Sequence, residues 1–159
     1  VQKRSDGTSI PAIGEGRRGL EGHLLYLLRQ ASTAAQQAVD RSLVDLGLSL
    51  AQYSALTMIS SYTNISSAEL SRLSMLTPQS AHEVVQRLVV RGLISKSLAQ
   101  ENKRIHRLRI TADGRELLAK ARRHSEPVEL LLKEEAAGIN EAEIRRWLVA
   151  IASRLQLPS

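Results

Sequence analysis

Apolar residues recur at helical spacing along most of this chain, and short polar or glycine-containing breaks separate the repeats. Leu24, Leu27, Leu28, Ala31, Ala35, Ala38, Ser42 and Leu46 form a long stripe of apolar and small residues, which predicts a helix from near Leu20 to Leu46, stopped by Gly47. Ser49 and Gln52 have the spacing of a capping box and open a second helix through Tyr53, Leu56, Ile59 and Ser60. Asn64-Ile65 reads as a turn or a very short strand. Ser66 and Glu69 make another capping box ahead of Leu70, Leu73 and Leu76. Only Ser74-Met75-Leu76 then precede Thr77, a good helix cap, with Pro78 at the first helical position, where its missing N–H costs nothing. Ala81, Val84, Val85 and Leu88 are the apolar stripe of that helix, and Gly92 ends it as a left-handed cap would.

The pattern changes from Leu93 to Thr111. Ile105 and Leu108-Arg109-Ile110 are strand-like, and Glu101-Asn102-Lys103 suits the tip of a hairpin. Thr111 then caps a helix carrying Leu117, Leu118, Ala121, Val128, Leu131 and Leu132 and ended by Gly138. Pro127 lies inside that pattern and should kink or break the helix near Ser125-Glu126. Asn140 with Glu143 caps a last helix striped by Ile144, Trp147, Leu148, Ile151 and Leu155.

Two short helices separated by a few residues, the second with a polar outer face, have helix-turn-helix spacing, and the hairpin behind them reads as a wing. The turn lacks the frequent glycine. The expected fold is mainly α (α+β): a winged helix-turn-helix with long N- and C-terminal helices forming a dimerisation region. Its expected parts are a flexible tail over 1–18, a dimerisation helix over 19–47, a winged helix-turn-helix over 48–111, and a long helix plus C-terminal dimerisation helix over 112–159. Long apolar-striped helices flank the small winged unit on both sides. Packing both against a second copy would bury them, and a two-fold dimer sets two recognition helices about one turn of DNA apart.

Charge sharpens this picture. From Arg87 to Arg109 there are seven basic residues (Arg87, Arg91, Lys96, Lys103, Arg104, Arg107 and Arg109) against one acid, Glu101, which equals the whole chain's formal excess of +6. A localised cationic field of this kind attracts phosphates. On the preceding helix Gln79, Ser80, His82, Glu83, Gln86 and Arg87 face outward. Gln can bond adenine through two edge atoms, and Ser can serve either base. A polar face is also what any solvated surface helix shows, so the reading rests on the helix, turn and hairpin together. Aromatics are few, with one Trp, three Tyr and no Phe among 159 residues, which argues against a single-strand binder built on stacking platforms. The absence of cysteine excludes a zinc-thiolate site, a disulfide framework and thiol redox sensing. No apolar run has the length of a membrane span or of a secretory signal, so a cytoplasmic protein without membrane contact is expected. His23, His82, His106 and His124 show no metal-ligand spacing, and there is no phosphate loop or serine elbow. No enzyme, metal or cofactor is expected.

Three strings carry a resemblance: LSLAQYSALTMIS (Leu48 to Ser60), SSAELSRLSMLTPQSAHEVVQRLVVRGLI (Ser66 to Ile94) and LRITADGRELL (Leu108 to Leu118). Through them the chain resembles the MarR family of bacterial and archaeal transcriptional regulators over about Leu24 to Leu155. The resemblance implies a winged helix-turn-helix dimer with a recognition helix from near Thr77 and a wing arginine in the minor groove. The family's wing usually carries Asp-x-Arg; here the triplet is Asn102-Lys103-Arg104, which keeps the arginine and replaces the acid with an amide that offers no ion pair. Glu83 also departs from what a groove favours. It either reads a cytosine amino group or turns away to pair with Arg87 at i+4, the second being preferred.

The function expected is a sequence-specific, dimeric, DNA-binding transcriptional regulator, a repressor relieved by a small molecule. Thr77 begins the recognition helix, Gln79, Ser80 and His82 read bases, Arg87, Lys103 and Arg107 meet phosphates, and Arg104 takes the minor groove. Partners are an operator duplex, a second copy of the chain, and a small aromatic or anionic effector, for which His23, Tyr26, Arg29, Tyr53 and Trp147 are the candidate contacts. The alternative is a winged-helix protein-interaction module without specific DNA binding.

Overall fold

A computed structural model describes residues 10–98 and 106–155. The chain divides into two compact units, one up to Ala38 and one from Val39 onward. The helices are α1 (Leu24–Ser42), α2 (Leu50–Ser61), α3 (Ser67–Leu73), α4 (Pro78–Val90), α5 (Ala112–Glu135) and α6 (Glu141–Leu155), and the strands are β1 (Ile65–Ser66), β2 (Ile94–Leu98) and β3 (His106–Ile110).

In the first unit, Ile10 to Arg18, expected to be part of a flexible tail, forms turns ending in a 3-10 turn over Gly16–Arg18. Hydrogen bonds invisible to a composition argument hold it. The Arg18 guanidinium donates to Pro11 O at 2.7 Å, Ala12 N to Glu15 Oε2 at 3.0 Å, and Gln30 Nε2 of α1 to Arg18 O at 3.1 Å. Helix α1 begins at Leu24, the first residue of its apolar stripe and a turn later than the start expected near Leu20.

The second unit holds the core. Its fully buried large side chains are Leu43, Leu56, Leu70, Leu88, Leu108 and Val85, drawn from the turn after α1, from α2, α3 and α4, and from the central strand. Burying a leucine is worth about 2 kcal/mol, so this cluster is what fixes the helices around the sheet. Helix α1 stops at Ser42, a 3-10 turn covers Val44–Leu46, and Gly47 breaks the chain direction at φ 59. Both predicted capping boxes form: Ser49 with Gln52 on α2, and Ser66 with Glu69 on α3. Asn140 Oδ1 accepts from Ala142 N at the start of α6.

The sheet is antiparallel with order β1-β3-β2. Ile94 opposes Ile110, and Lys96 opposes Leu108, whereas Ser95 and Ser97 oppose Arg109 and Arg107 on the other face. Strand β1 is two residues long, and Ser66, its second residue, pairs with Arg107 while also capping α3. The expected hairpin tip, Glu101-Asn102-Lys103, lies outside the described residues.

Pro127 does not break α5, which runs unbroken over 24 residues. The ring removes only the bond to the Arg123 carbonyl, and Ser125 Oγ donates to the neighbouring Arg122 O at 3.2 Å. The two halves of α5 differ in what they cover. Gly114, Leu118 and Ala121 are buried, whereas Leu130, Leu131 and Leu132 are at least half exposed. Helix α6 buries no residue at all.

Candidate nucleic-acid interface

Helix α4 follows α3 after a four-residue connection, and Thr77 caps it as expected, accepting from Ser80 N at 3.1 Å. Pro78 occupies the first turn. The connection has no glycine, yet it closes tightly. Buried Ser71 donates through Oγ to Leu76 O at 2.7 Å, Leu76 N donates back to Ser71 O at 3.0 Å, and Met75 takes φ 53. Ala81, Val84, Val85 and Leu88 are all buried, so the helix has one committed inner face. Gln79, His82, Glu83, Gln86 and Arg87 lie on the exposed remainder. Ser80 is half-buried, and its oxygen accepts from the Thr77 hydroxyl at 2.9 Å, leaving its own proton free to donate outward.

The preferred pairing of Glu83 with Arg87 does not form: the two side chains make no ion pair within 4.0 Å, although the i,i+4 pairs Glu116–Lys120, Glu129–Lys133 and Glu141–Arg145 do. Spacing permits such a pair on a helix but adds only a few tenths of a kcal/mol, too little to fix two long side chains. Both remain directed outward.

The basic residues of the hairpin are put to different uses. Lys103 and Arg104 lie outside the described residues. Arg107, expected at a phosphate, projects from β3 to the cap of α3, donating to Asn64 O at 3.2 Å and to Glu69 Oε2 at 3.4 Å. Arg109 Nε donates to the Asn64 side-chain oxygen. Arg91, counted in the sequence only as a charge, ties the end of α4 to the 3-10 turn, donating to Gly47 O at 2.7 Å and Leu46 O at 3.3 Å. Its partners lie 44 and 45 residues away, and no local signal marks them.

Glu69 gathers three donors on one oxygen: Ser66 N at 2.7 Å, Ser66 Oγ at 2.8 Å and the Arg107 guanidinium at 3.4 Å. The Ser66 backbone bond first, then the Ser66 hydroxyl, hold its pKa below the usual carboxylate value. Arg107 and Arg72 add to this against a partial desolvation. A lowered folded-state pKa stabilises above the unfolded value and ceases to do so as pH falls through the folded one. Glu69→Gln keeps the capping-box geometry and removes the charge. The variant is expected to be less stable than the parent at pH 7, with the gap closing as both are acidified below the ordinary carboxylate range. Urea denaturation across that range measures it, and a gap independent of pH would contradict the assignment.

The candidate effector residues fall into separate places. Tyr26 and Arg29 line a cavity of about 340 Å³ in the first unit, together with Ile13, Arg18, Gln30 and Thr33. Arg18 Nε and Gln30 Oε1 are buried there without a hydrogen-bond partner. His23 lies exposed just before α1. In the second unit the Tyr53 hydroxyl is 3.1 Å from Ser125 Oγ, joining α2 to α5, and Trp147 stands on α6, 46% exposed. Among the described residues no three His, Asp or Glu side chains gather as a metal site would require, and no helix is long and apolar enough to cross a membrane.

A buried-face helix presented after a tight turn, with an antiparallel hairpin behind it, defines a winged helix-turn-helix protein. Residues 46–105 match the sequence model of the MarR family. The chain is 27% identical over 128 residues to the HTH-type transcriptional repressor Rv2887 of Mycobacterium tuberculosis, spanning 80% of this chain and 92% of that protein. The structure of Rv2887 in complex with p-aminosalicylic acid superposes with a TM-score of 0.67 at 26% identity, covering 82% of this chain and 99% of the other. The transcriptional repressor CouR bound to a 23-mer DNA duplex gives a TM-score of 0.72 at 20% identity over 93% and 100% of the two chains. CouR from Rhodococcus jostii RHA1 bound to p-coumaroyl-CoA gives 0.75 at 21% identity over 88% and 98%. The two CouR comparisons speak to the fold alone.

Proposed function

We propose that this chain is a homodimeric, sequence-specific, DNA-binding transcriptional repressor of the cytoplasm, released from its operator by a small aromatic or anionic effector. The observation that carries the reading is α4. Its inner stripe of Ala81, Val84, Val85 and Leu88 is consumed by the core, and a polar face from Gln79 to Arg87 is presented outward directly behind a helix-turn-helix junction, with exposed Val90 at the far end. A helix so mounted enters the major groove by its N-terminal end. Gln79, Ser80 and His82 then meet base edges, with Thr77 at the helix start, and Arg87, Lys103 and Arg107 serve phosphates. Arg107 does so from a guanidinium already oriented by Glu69 and Asn64. Arg104 takes the minor groove. That Rv2887 carries the name of a transcriptional repressor supports this reading.

The dimer follows from what the single chain leaves uncovered. No residue in the second half of α5 or in the stripe of α6 is fully buried within the protomer. Residues 19–47 and 112–159 supply the dimerisation region of this proposal, with 48–111 as the DNA-binding domain. The effector reading rests on Tyr26 and Arg29 sharing one cavity, where a guanidinium and an aromatic ring suit an aromatic acid of the kind bound by Rv2887. His23, Tyr53 and Trp147 complete the candidate set. An effector that favours the DNA-incompetent arrangement lowers operator affinity by linkage.

Enrichment of bound duplexes from a random pool, followed by gel-shift titration over a salt series, tests the function. Specific binding with steep salt dependence is expected, because neutralised phosphates release counterions. Association with protein partners alone, and indifference to every duplex at low salt, would support the protein-interaction module instead. Arg104→Ala is expected to weaken binding to the enriched duplex by about tenfold, in the range of one lost charge-assisted contact, with an unchanged melting temperature. Unchanged affinity would remove Arg104 from the interface.

A further inference from the structure

Among the described residues only two that are not glycine adopt positive φ: Asn64 at 60 and Met75 at 53. Asn tolerates this region because its short amide bonds locally, and Asn64 is engaged through both its carbonyls. Met75 has no such compensation. Its side chain clashes with its own backbone in the left-handed region, a cost glycine would not incur. Nor does the side chain recover that cost inside the protein. Met75 is 93% exposed, the most exposed large apolar residue among the described residues of the second unit. The chain's other methionine, Met58, packs against the core. A strained backbone that holds an apolar side chain almost wholly in water points to a partner outside the chain.

Its position identifies that partner. Met75 sits in the α3–α4 connection, two residues before the Thr77 cap, at the end of α4 that presents Gln79 and Ser80. The turn is fixed from within by Ser71, so the direction of residue 75 is set before anything binds. The only strongly apolar group on a base edge in the major groove is the C5-methyl of thymine. An unbranched thioether is long, adaptable and polarisable enough to pack against it. Resting on the DNA reading above, we propose that Met75 is a specificity-determining residue whose side chain packs on a thymine methyl at the margin of each operator half-site.

The test uses the full chain and the duplex it enriches from a random pool, with thymines replaced one at a time by deoxyuridine. Wild-type protein is expected to lose about fivefold in affinity at one thymine per half-site, the scale of one buried methyl group. Met75→Gly and Met75→Asn, both suited to the left-handed backbone, are expected to lose about the same factor on the parent duplex and to be indifferent to that same replacement. Their melting temperatures should equal or exceed the parent's, because the turn is relieved rather than damaged. An enriched duplex that both variants bind as tightly as the parent, or a deoxyuridine effect that persists in them, would overturn this contact and leave the repressor reading intact. Failure to enrich any duplex would overturn both.

Discussion

Gly114→Ala is expected to cost about 3 kcal/mol of stability and to lower the melting temperature by roughly 10 °C, although it exchanges glycine for the best helix former. A methyl at residue 114 would lie 2.0 Å from Leu93 O and 2.8 Å from Ile110 Cγ1. The first is backbone and cannot swing aside. Leu93 O also accepts from Thr111 N at 3.1 Å, and Thr111 Oγ1 donates to Gly92 O at 2.8 Å while accepting from Gly114 N at 3.0 Å. The first turn of α5 is thus pressed onto the link between α4 and β2, and only hydrogen fits between them. Displacing α5 would also disturb Leu118 and Ala121 in the core. Calorimetric melting decides the matter, and a melting temperature equal to the parent's would show that the contact is looser than described.

The second large effect concerns assembly. Replacing Trp147 and Leu148 of α6 together by glutamate is expected to leave the protomer folded, since these side chains are 46% and 41% exposed in the single chain. The same change places two charges in an apolar stripe that the proposed dimer must bury, at a cost of several kcal/mol. The mass measured by light scattering should fall to that of one chain. Affinity for a two-half-site duplex should fall by roughly 100-fold or more as the second contact ceases to be intramolecular. A variant that remains dimeric at the parent's dissociation constant would move the dimer interface elsewhere.

Much of this protein is legible in its sequence because its determinants are local. Ser49 and Ser66 announce helix starts through partners three residues on, Thr77 through the proline that follows it, and each makes its capping bond. The stripe of α4 and the strand pairing of Leu108 follow from periodicity in the same way. What was not legible depends on distant partners. Arg107 finds Glu69 across 38 residues, and Tyr53 finds Ser125 across 72. A count of positive charge assigns Arg91 and Arg107 to a common cationic field, whereas each is occupied by an acceptor that only the tertiary fold supplies. Glu83 and Arg87 illustrate the reverse: a favourable spacing with no bond made. The α3–α4 turn lacks the frequent glycine, and Met75 carries the positive φ there while Ser71 closes the loop. Pro127 shows that one lost backbone bond is a weak argument against a helix that is well formed on both sides.

The double duty of Ser66, a sheet residue opposite Arg107 and at the same time the cap of α3, has a mechanical corollary. Strand β3 pairs on one side with β1 and on the other with β2, so the base of the hairpin is stitched to the first helix of the reading head. Hairpin base and helix-turn-helix are therefore joined as one piece. If the proposed complex forms, an operator half-site becomes a word of invariant length, and any tolerance to inserted base pairs must reside in the spacer between the two words.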